Sequence, residues 1–317
     1  MRAAAALVAA LGLVLAACGS PRETAPPRPT PTPTLAGGTP AGSRVVTDMA
    51  GRQVPLPERI DRVVVTAPAA ADYARALGLQ VIGQPSDIAP VEGARAVGTT
   101  LNPDFAAIAA LAPDLVLGDA AIQGARIADF DRFTLPVYLV NASDYLAILD
   151  AVERLGAATG REEEAARLRA DIEARVVAAA LAARERRAAA GDLRVLVLTG
   201  GGRDVFAGGP ATYIGNLLSI LGAQNALANP PDGGPLPGFG VIDPGAAARL
   251  MPDVVLVLPA GDAALAAQLR ADPAWANTPA VRNDRVVTVD RVLFLRAPGP
   301  RVAEAIETLL ALLWPER

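Results

Sequence analysis

One unit of this chain occurs twice at a constant spacing of 139 residues. Asp104 followed by Leu111-Ala112-Pro113-Asp114-Leu115-Val116-Leu117 recurs as Asp243 followed by Leu250-Met251-Pro252-Asp253-Val254-Val255-Leu256. A repeated helix-Pro-Asp-strand unit restricts the chain to folds made of two similar halves. Two further pairs keep the same order. Arg62-Val63-Val64-Val65-Thr66 matches Arg194-Val195-Leu196-Val197-Leu198-Thr199, and Leu77-Gly78-Leu79-Gln80 matches Leu221-Gly222-Ala223-Gln224. Pro-Asp after a helix is a common stop signal and can arise twice by chance; three matches in one order favour duplication.

From residue 45 onward, short β-branched runs alternate with Ala/Leu-rich stretches, the pattern of βα units around mainly parallel sheets. Strands are expected at residues 63–65, 81–82, 115–117, 137–140, 195–198, 254–258 and 286–289. Residues 143–190 are mostly helix formers, with a break expected at 156–160. The piece 161–190 carries Glu162, Glu163 and Glu164 at its start and Arg184, Arg186 and Arg187 near its end, matching the helix dipole at both ends. At about 1.5 Å per residue it spans roughly 45 Å. That length suits a rod joining two lobes; a surface helix packed on one domain is the alternative. The expected fold class is α/β, with two α/β lobes of mainly parallel sheets joined by a long connecting helix.

The first residues read as an address. Met1-Arg2 and the apolar run 3–17 have the charged start, short apolar middle and small-residue end of a secretory signal. Leu15-Ala16-Ala17-Cys18 resembles the bacterial lipobox, and Cys18 is the only cysteine in the chain. The alternative is an ordinary signal peptide with a coincidental cysteine. Pro and Thr then dominate residues 26–34, a composition that favours extended backbone with no core to bury. The expected organisation is a lipoprotein signal peptide (1–17), a lipidated Cys18 with a tether (18–43), an N-terminal lobe (44–150), connecting helices (151–191) and a C-terminal lobe (192–317). It places the protein on the outer face of the cytoplasmic membrane or in the periplasm.

Composition removes most chemistries. All 29 basic residues are arginine, because the chain has neither lysine nor histidine. Ser-His-Asp and Cys-His catalysis, Lys Schiff bases, P-loop cradles and His-ligated metal sites are therefore excluded. A single cysteine provides no disulfide, cluster or Cys-rich zinc site, so no catalytic residue, protein-held metal or resident cofactor is expected. A formal charge of −4 argues against nucleic acid as the partner. A small ligand or a protein remains.

The chain from about residue 45 to 314 resembles the substrate-binding proteins of ABC importers for ferric siderophores, haem and vitamin B12. The resemblance rests on Val46-Thr47-Asp48-Met49-Ala50-Gly51-Arg52-Gln53-Val54-Pro55-Leu56-Pro57 leading into Val63-Val64-Val65, and on the two repeated units. Phe206-Ala207-Gly208-Gly209 followed by residues 218–225, and Gly299-Pro300-Arg301, complete it. It implies a ligand cleft between the lobes, no catalysis, a monomer, and capture of an iron chelate for an ABC permease. Cobalamin or haem is the alternative cargo. In better-known importers a glutamate on each lobe docks on the permease; those positions are Ala106 and Gly245 here, while Asp104 and Asp243 read as helix N-caps. A surface sensor or carrier without a transport partner is therefore the alternative of another class.

In open α/β sheets the loops after the strands border the crevice. That rule selects Thr66, Pro68, Thr100 and Tyr145 in the first half, together with the segments 86–87 and 119–123. In the second half it selects Arg203, Phe206, Phe239, Asp290, Phe294 and Arg296. Arg296 is the expected clamp for carboxylate or catecholate oxygens; pairing with Asp290 at the surface is its bland alternative. Asp290 and Arg296 resemble an acid and an arginine that contact ligand in vitamin B12 binders, where Phe206 and Phe239 also match aromatic cleft positions. Thr100 falls on a tryptophan position of those binders, which counts against cobalamin. Tyr145 and Tyr213 offer phenolate oxygens to haem iron, and Arg203 and Arg126 are candidate second clamps.

Overall fold

Val63, Val64 and Val65 are all fully buried, as a strand covered on both faces requires. The computed structural model describes residues 43–201, 204–230, 233–234, 236–260 and 264–316. The expected leader 1–17, Cys18 and the tether to residue 42 lie outside the described residues, as does Arg203. The described residues open with a hairpin of β1 (Ser43–Thr47) and β2 (Gln53–Pro57). Inside its turn the Asp48 carboxylate accepts from the amides of Ala50 and Arg52 and meets the Arg52 guanidinium at 2.6 Å. Arg52 also donates to the Val137 carbonyl, which fastens the hairpin to the first lobe.

The first lobe runs β3 (Val63–Val65), α1 (Pro68–Ala76), β4 (Val81–Gln84), β5 (Arg95–Ala96), α2 (Phe105–Ala110), β6 (Leu115–Asp119), α3 (Ala120–Gln123), α4 (Ile127–Arg132) and β7 (Val137–Val140). Its sheet has the order β5-β4-β3-β6-β7 and is parallel throughout. Two helices follow, α5 (Tyr145–Thr159) and α6 (Glu162–Ala190), separated at Gly160, whose φ of 67° ends α5 in the left-handed region. The second lobe contains β8 (Arg194–Gly201), β9 (Asp204–Gly208), α7 (Tyr213–Ile220), β10 (Gln224–Asn225), β11 (Phe239–Val241), α8 (Pro244–Arg249), β12 (Val254–Pro259), α9 (Ala264–Ala271), α10 (Pro279–Arg282) and β13 (Val286–Thr288). A π-helical turn (Val292–Arg296) and α11 (Val302–Leu313) complete the chain.

The second sheet has the order β11-β9-β8-β12-β13, with β10 beside β8. The sheet is mainly parallel, as expected: β8, β10, β11, β12 and β13 run in one direction, and β9 alone is reversed, pairing antiparallel with β8 and β11. Gly200, at φ 107°, allows the close return of β9, since a side chain there would collide with the Asp204 carbonyl.

The repeat is a structural one. Asp104 caps α2 by accepting from the Ala107 amide at 2.9 Å, and Asp243 caps α8 by accepting from Ala246 at 2.8 Å. Ala112 and Met251 take the same left-handed backbone, at φ 45° and 49°. Asp114 and Asp253 then accept from the amides of Arg62 and Arg194, which tie each new strand to the start of its neighbour.

Strand alternation divides the interior into three layers. Val63, Val65, Leu115 and Leu117 of the first sheet and Val195, Val197, Val254 and Leu256 of the second belong to one cluster that also includes α1, α5, α6, α7 and α11. The opposite faces form separate clusters, around Val64, Val116 and Phe130 in one lobe and around Leu196, Val255 and Trp275 in the other. The long helix α6 buries Ala165, Ile172, Val176, Ala179 and Ala183 along one stripe and packs on both α5 and α11. It thus bridges α5, which follows the first lobe, and α11, which ends the second. Arg175 grips Glu307 of α11 through two bonds of 2.8 and 2.7 Å, and Arg169 meets Glu153 of α5 at 3.0 Å.

Helices α5 and α6 approach closely at Gly156, where an added Cβ would overlap the Cβ of Ala165. Gly156→Val is therefore expected to lower stability by about 1–3 kcal/mol through overpacking, measured by urea unfolding.

Candidate ligand-binding site

A cavity of about 160 Å³ lies where the two lobes face each other. One wall is α1 and the segment after β4, with Pro68, Ala71, Asp72, Arg75, Asp87, Ile88 and Ala89; the other is Val292 and Arg296 of the π-helical turn and Arg301 before α11. A wider groove of about 410 Å³ between α6 and α11 is lined by Arg186, Glu307, Leu310 and Glu316. Arg186 and Glu316 pair across it at 2.6 Å, and it lies away from the carboxyl ends of the strands.

Charge dominates the inter-lobe cavity. Arg296 reaches across the cleft to Asp87 with Nη2···Oδ2 at 3.2 Å. The other carboxylate oxygen of Asp87 accepts from the Thr100 amide at 2.7 Å and from its hydroxyl at 3.0 Å. Burial pushes the Asp87 carboxyl up, but the bonds from Thr100 and Arg296 outweigh it and hold the group below the ordinary aspartate value. Asp72 behaves oppositely. Burial raises it above the ordinary value despite the nearby Arg301 and Arg75, the latter at 2.9 Å. Arg301 is engaged by Glu304 through two bonds of 2.8 and 2.7 Å.

Of the expected contact residues, Pro68 and Arg296 line this cavity. Thr66 and Thr100 are buried supports: Gln123, itself buried, donates to both of their carbonyls at 2.9 and 3.2 Å and accepts from the Asp119 amide at 2.8 Å. Asp290 is exposed and caps the π-helical turn by accepting from Val292 and Leu293, so the partner of Arg296 is Asp87 instead. Phe294 is buried. Phe206 and Phe239 sit within β9 and β11, not in loops; Phe206 is half-buried, and Phe239 packs on Gly208. Arg126 stacks on the Phe105 ring at 5.0 Å and pairs with Asp129.

Tyr145 and Tyr213 begin α5 and α7, and the Tyr145 amide donates to the Asn216 side chain across the lobe junction at 3.1 Å. Burial raises the phenol pKa of both tyrosines. The hydroxyls of Tyr213 and of Tyr73 on α1 are buried without a hydrogen-bond partner among the described residues. Residue-by-residue reading missed Asp72 and Arg75; the Gly299-Pro300-Arg301 motif and the segments 86–87 and 119–123 already contained Arg301, Asp87 and Gln123.

The chain matches the family described as periplasmic binding protein over residues 63–293. It belongs to that family. The members are extracytoplasmic solute-binding proteins rather than enzymes. Solved structures share the fold. The petrobactin-binding protein YclQ of Bacillus subtilis superposes with a TM-score of 0.73 at 19% identity, covering 87% of this chain and 99% of that one. SirA of Staphylococcus aureus, complexed with staphyloferrin B, gives 0.68 at 21% identity over 85% and 98%. The periplasmic haem-binding protein RhuT of Roseiflexus sp. RS-1 gives 0.68 at 24% identity over 80% and 98%. At these identities the likeness is one of fold. No curated protein matches the chain. Among the described residues no helix is long and apolar enough to cross a membrane, and no acidic cluster could hold a metal ion.

Gln123 supports the first-lobe rim through the buried carbonyls of Thr66 and Thr100 and the half-buried amide of Asp119. Gln123→Leu leaves them unpartnered and is expected to lower stability by at least about 1–3 kcal/mol, read from thermal or urea unfolding.

Proposed function

We propose that this protein is a lipid-anchored receptor that captures an anionic metal chelate, a ferric siderophore, between its lobes and delivers it to an ABC permease. No bond is made or broken. The observation that carries this reading is the cleft cavity bordered by three permanently charged guanidiniums, those of Arg75, Arg296 and Arg301. Anionic oxygens can bind such groups through charge-assisted, bidentate bonds. Fold relatives that bind petrobactin and staphyloferrin B support the same class of cargo.

Haem is the second reading, favoured by the unpartnered Tyr213 hydroxyl at the lobe junction. Burial raises that phenol's pKa, so iron would have to displace a tightly held proton. Cobalamin is the weaker alternative, because Thr100 is buried and committed to Asp87. A sensor or carrier without a permease stays the alternative in another class: Ala106 and Gly245 bring no charge, and Asp104 and Asp243 are engaged as caps.

Calorimetric titration with a ferric carboxylate or catecholate siderophore, haemin and cyanocobalamin tests the ligand class. Saturable binding of the ferric chelate alone is expected, and binding of none defeats the proposal. Arg296→Ala is expected to weaken that binding several-fold or more; unchanged affinity removes Arg296 from the site. Cys18→Ser is expected to move the protein from the membrane fraction to the soluble one on cell fractionation, and continued membrane retention counts against the anchor.

A further inference from the structure

The bond between Asp87 and Arg296 joins residues 209 positions apart, one on each lobe, at the edge of the cleft. With the bridge in place the cavity measures about 160 Å³, below the ~300–1,000 Å³ of pockets that enclose drug-sized ligands. With the pair intact, a whole chelate exceeds the volume of this cavity. Only Nη2 of Arg296 is used, at a long 3.2 Å, and the side chains of Arg296 and Asp87 keep 30% and 36% of their exposure. A one-point pair open to water is weak. An incoming pair of anionic oxygens can instead engage the guanidinium fork at two points.

Resting on the receptor reading above, we propose that Asp87 is an internal competitor for Arg296: a carboxylate of one lobe that latches the other and yields only to ligands presenting a bidentate anionic oxygen pair. Its position is fixed for that role. Thr100 holds Oδ1 through its amide and hydroxyl, which leaves Oδ2 directed at the arginine. When a ligand takes Arg296, Asp87 keeps its bonds to Thr100 and returns one oxygen to water, so little is lost on the first lobe. A neutral ligand offers Arg296 no charged replacement for the carboxylate and so gains less by displacing it. Asp87 thereby couples ligand charge to release of the lobes and acts as a specificity-determining residue.

Asp87→Asn removes the charge facing Arg296 while retaining an oxygen for Thr100. In the full chain without ligand, Asp87→Asn and Arg296→Gln are both expected to speed backbone hydrogen exchange in segments 85–100 and 290–297. With ferric citrate as the probe, Asp87→Asn is expected to bind about two- to five-fold tighter than the unaltered protein, and Arg296→Gln more weakly. Unchanged exchange in both variants overturns the latch. Faster exchange with unchanged or weaker binding by Asp87→Asn overturns the competition. Should neither ferric citrate nor any ferric siderophore bind the unaltered protein and both variants, the receptor reading and the competition fall together, and the exchange rates alone then decide the latch.

Discussion

Alternation along the central strands sends Val63, Val65, Val195 and Val197 into one apolar layer that lies behind both sheets and continues through α1, α5, α6, α7 and α11. Buried apolar area contributes about 25 cal/mol per Å², so separating the lobes at this layer is unfavourable. Movement costs least where the contacts between the lobes are polar, as at the bond between Asp87 after β4 and Arg296 of the π-helical turn. The cleft cavity lies at the edge of the shared layer, where Ala71 of that layer and Ile88 packed on it meet the charged side chains. In this way a hydrophobic constraint determines where a charged ligand can enter.

The cleft edge is held by groups of two kinds. Thr66, Thr100 and Gln123 form a buried hydrogen-bond set that fixes the rim of the first lobe. Arg75, Arg296 and Arg301 face the cavity with their carboxylate partners Asp72, Asp87 and Glu304 close by. Because exposed or half-exposed pairs of this sort contribute little to stability, they can exchange partners without loosening the fold. Rigidity thus comes from buried amides and carbonyls, and responsiveness from screened charges.

Reading the residues made the duplicated half, all seven expected strands and the broken helical connector legible, because each rests on local patterns: β-branched runs, Pro-Asp stops, and end charges on α6. The reversed strand β9 and its neighbour β11 were not legible. Their placement depends on the close approach of Gly200 to Asp204 and on Phe239 seating against Gly208, the latter joining residues about thirty positions apart. The site was legible in outline, since Pro68 and Arg296 lie where the strand-end rule puts them. The partner of Arg296 was not, because Asp290 is nearer in sequence but uses its carboxylate on the amides of Val292 and Leu293.

The sequence by itself determined the chemistry open to this protein: with arginine as its only base and no histidine, it can hold an anion but has no group suited to relay a proton near neutral pH. It also determined the two-fold α/β plan, because periodicity and stop signals act over a few residues. Only the tertiary structure decided which charges meet. The pairing of Asp87 with Arg296, the closeness of Asp72 to Arg301 and the burial of Tyr73 and Tyr213 arise from lobes packed together on a common layer. Long-range proximity of that kind is set by packing, on which local sequence patterns carry no information.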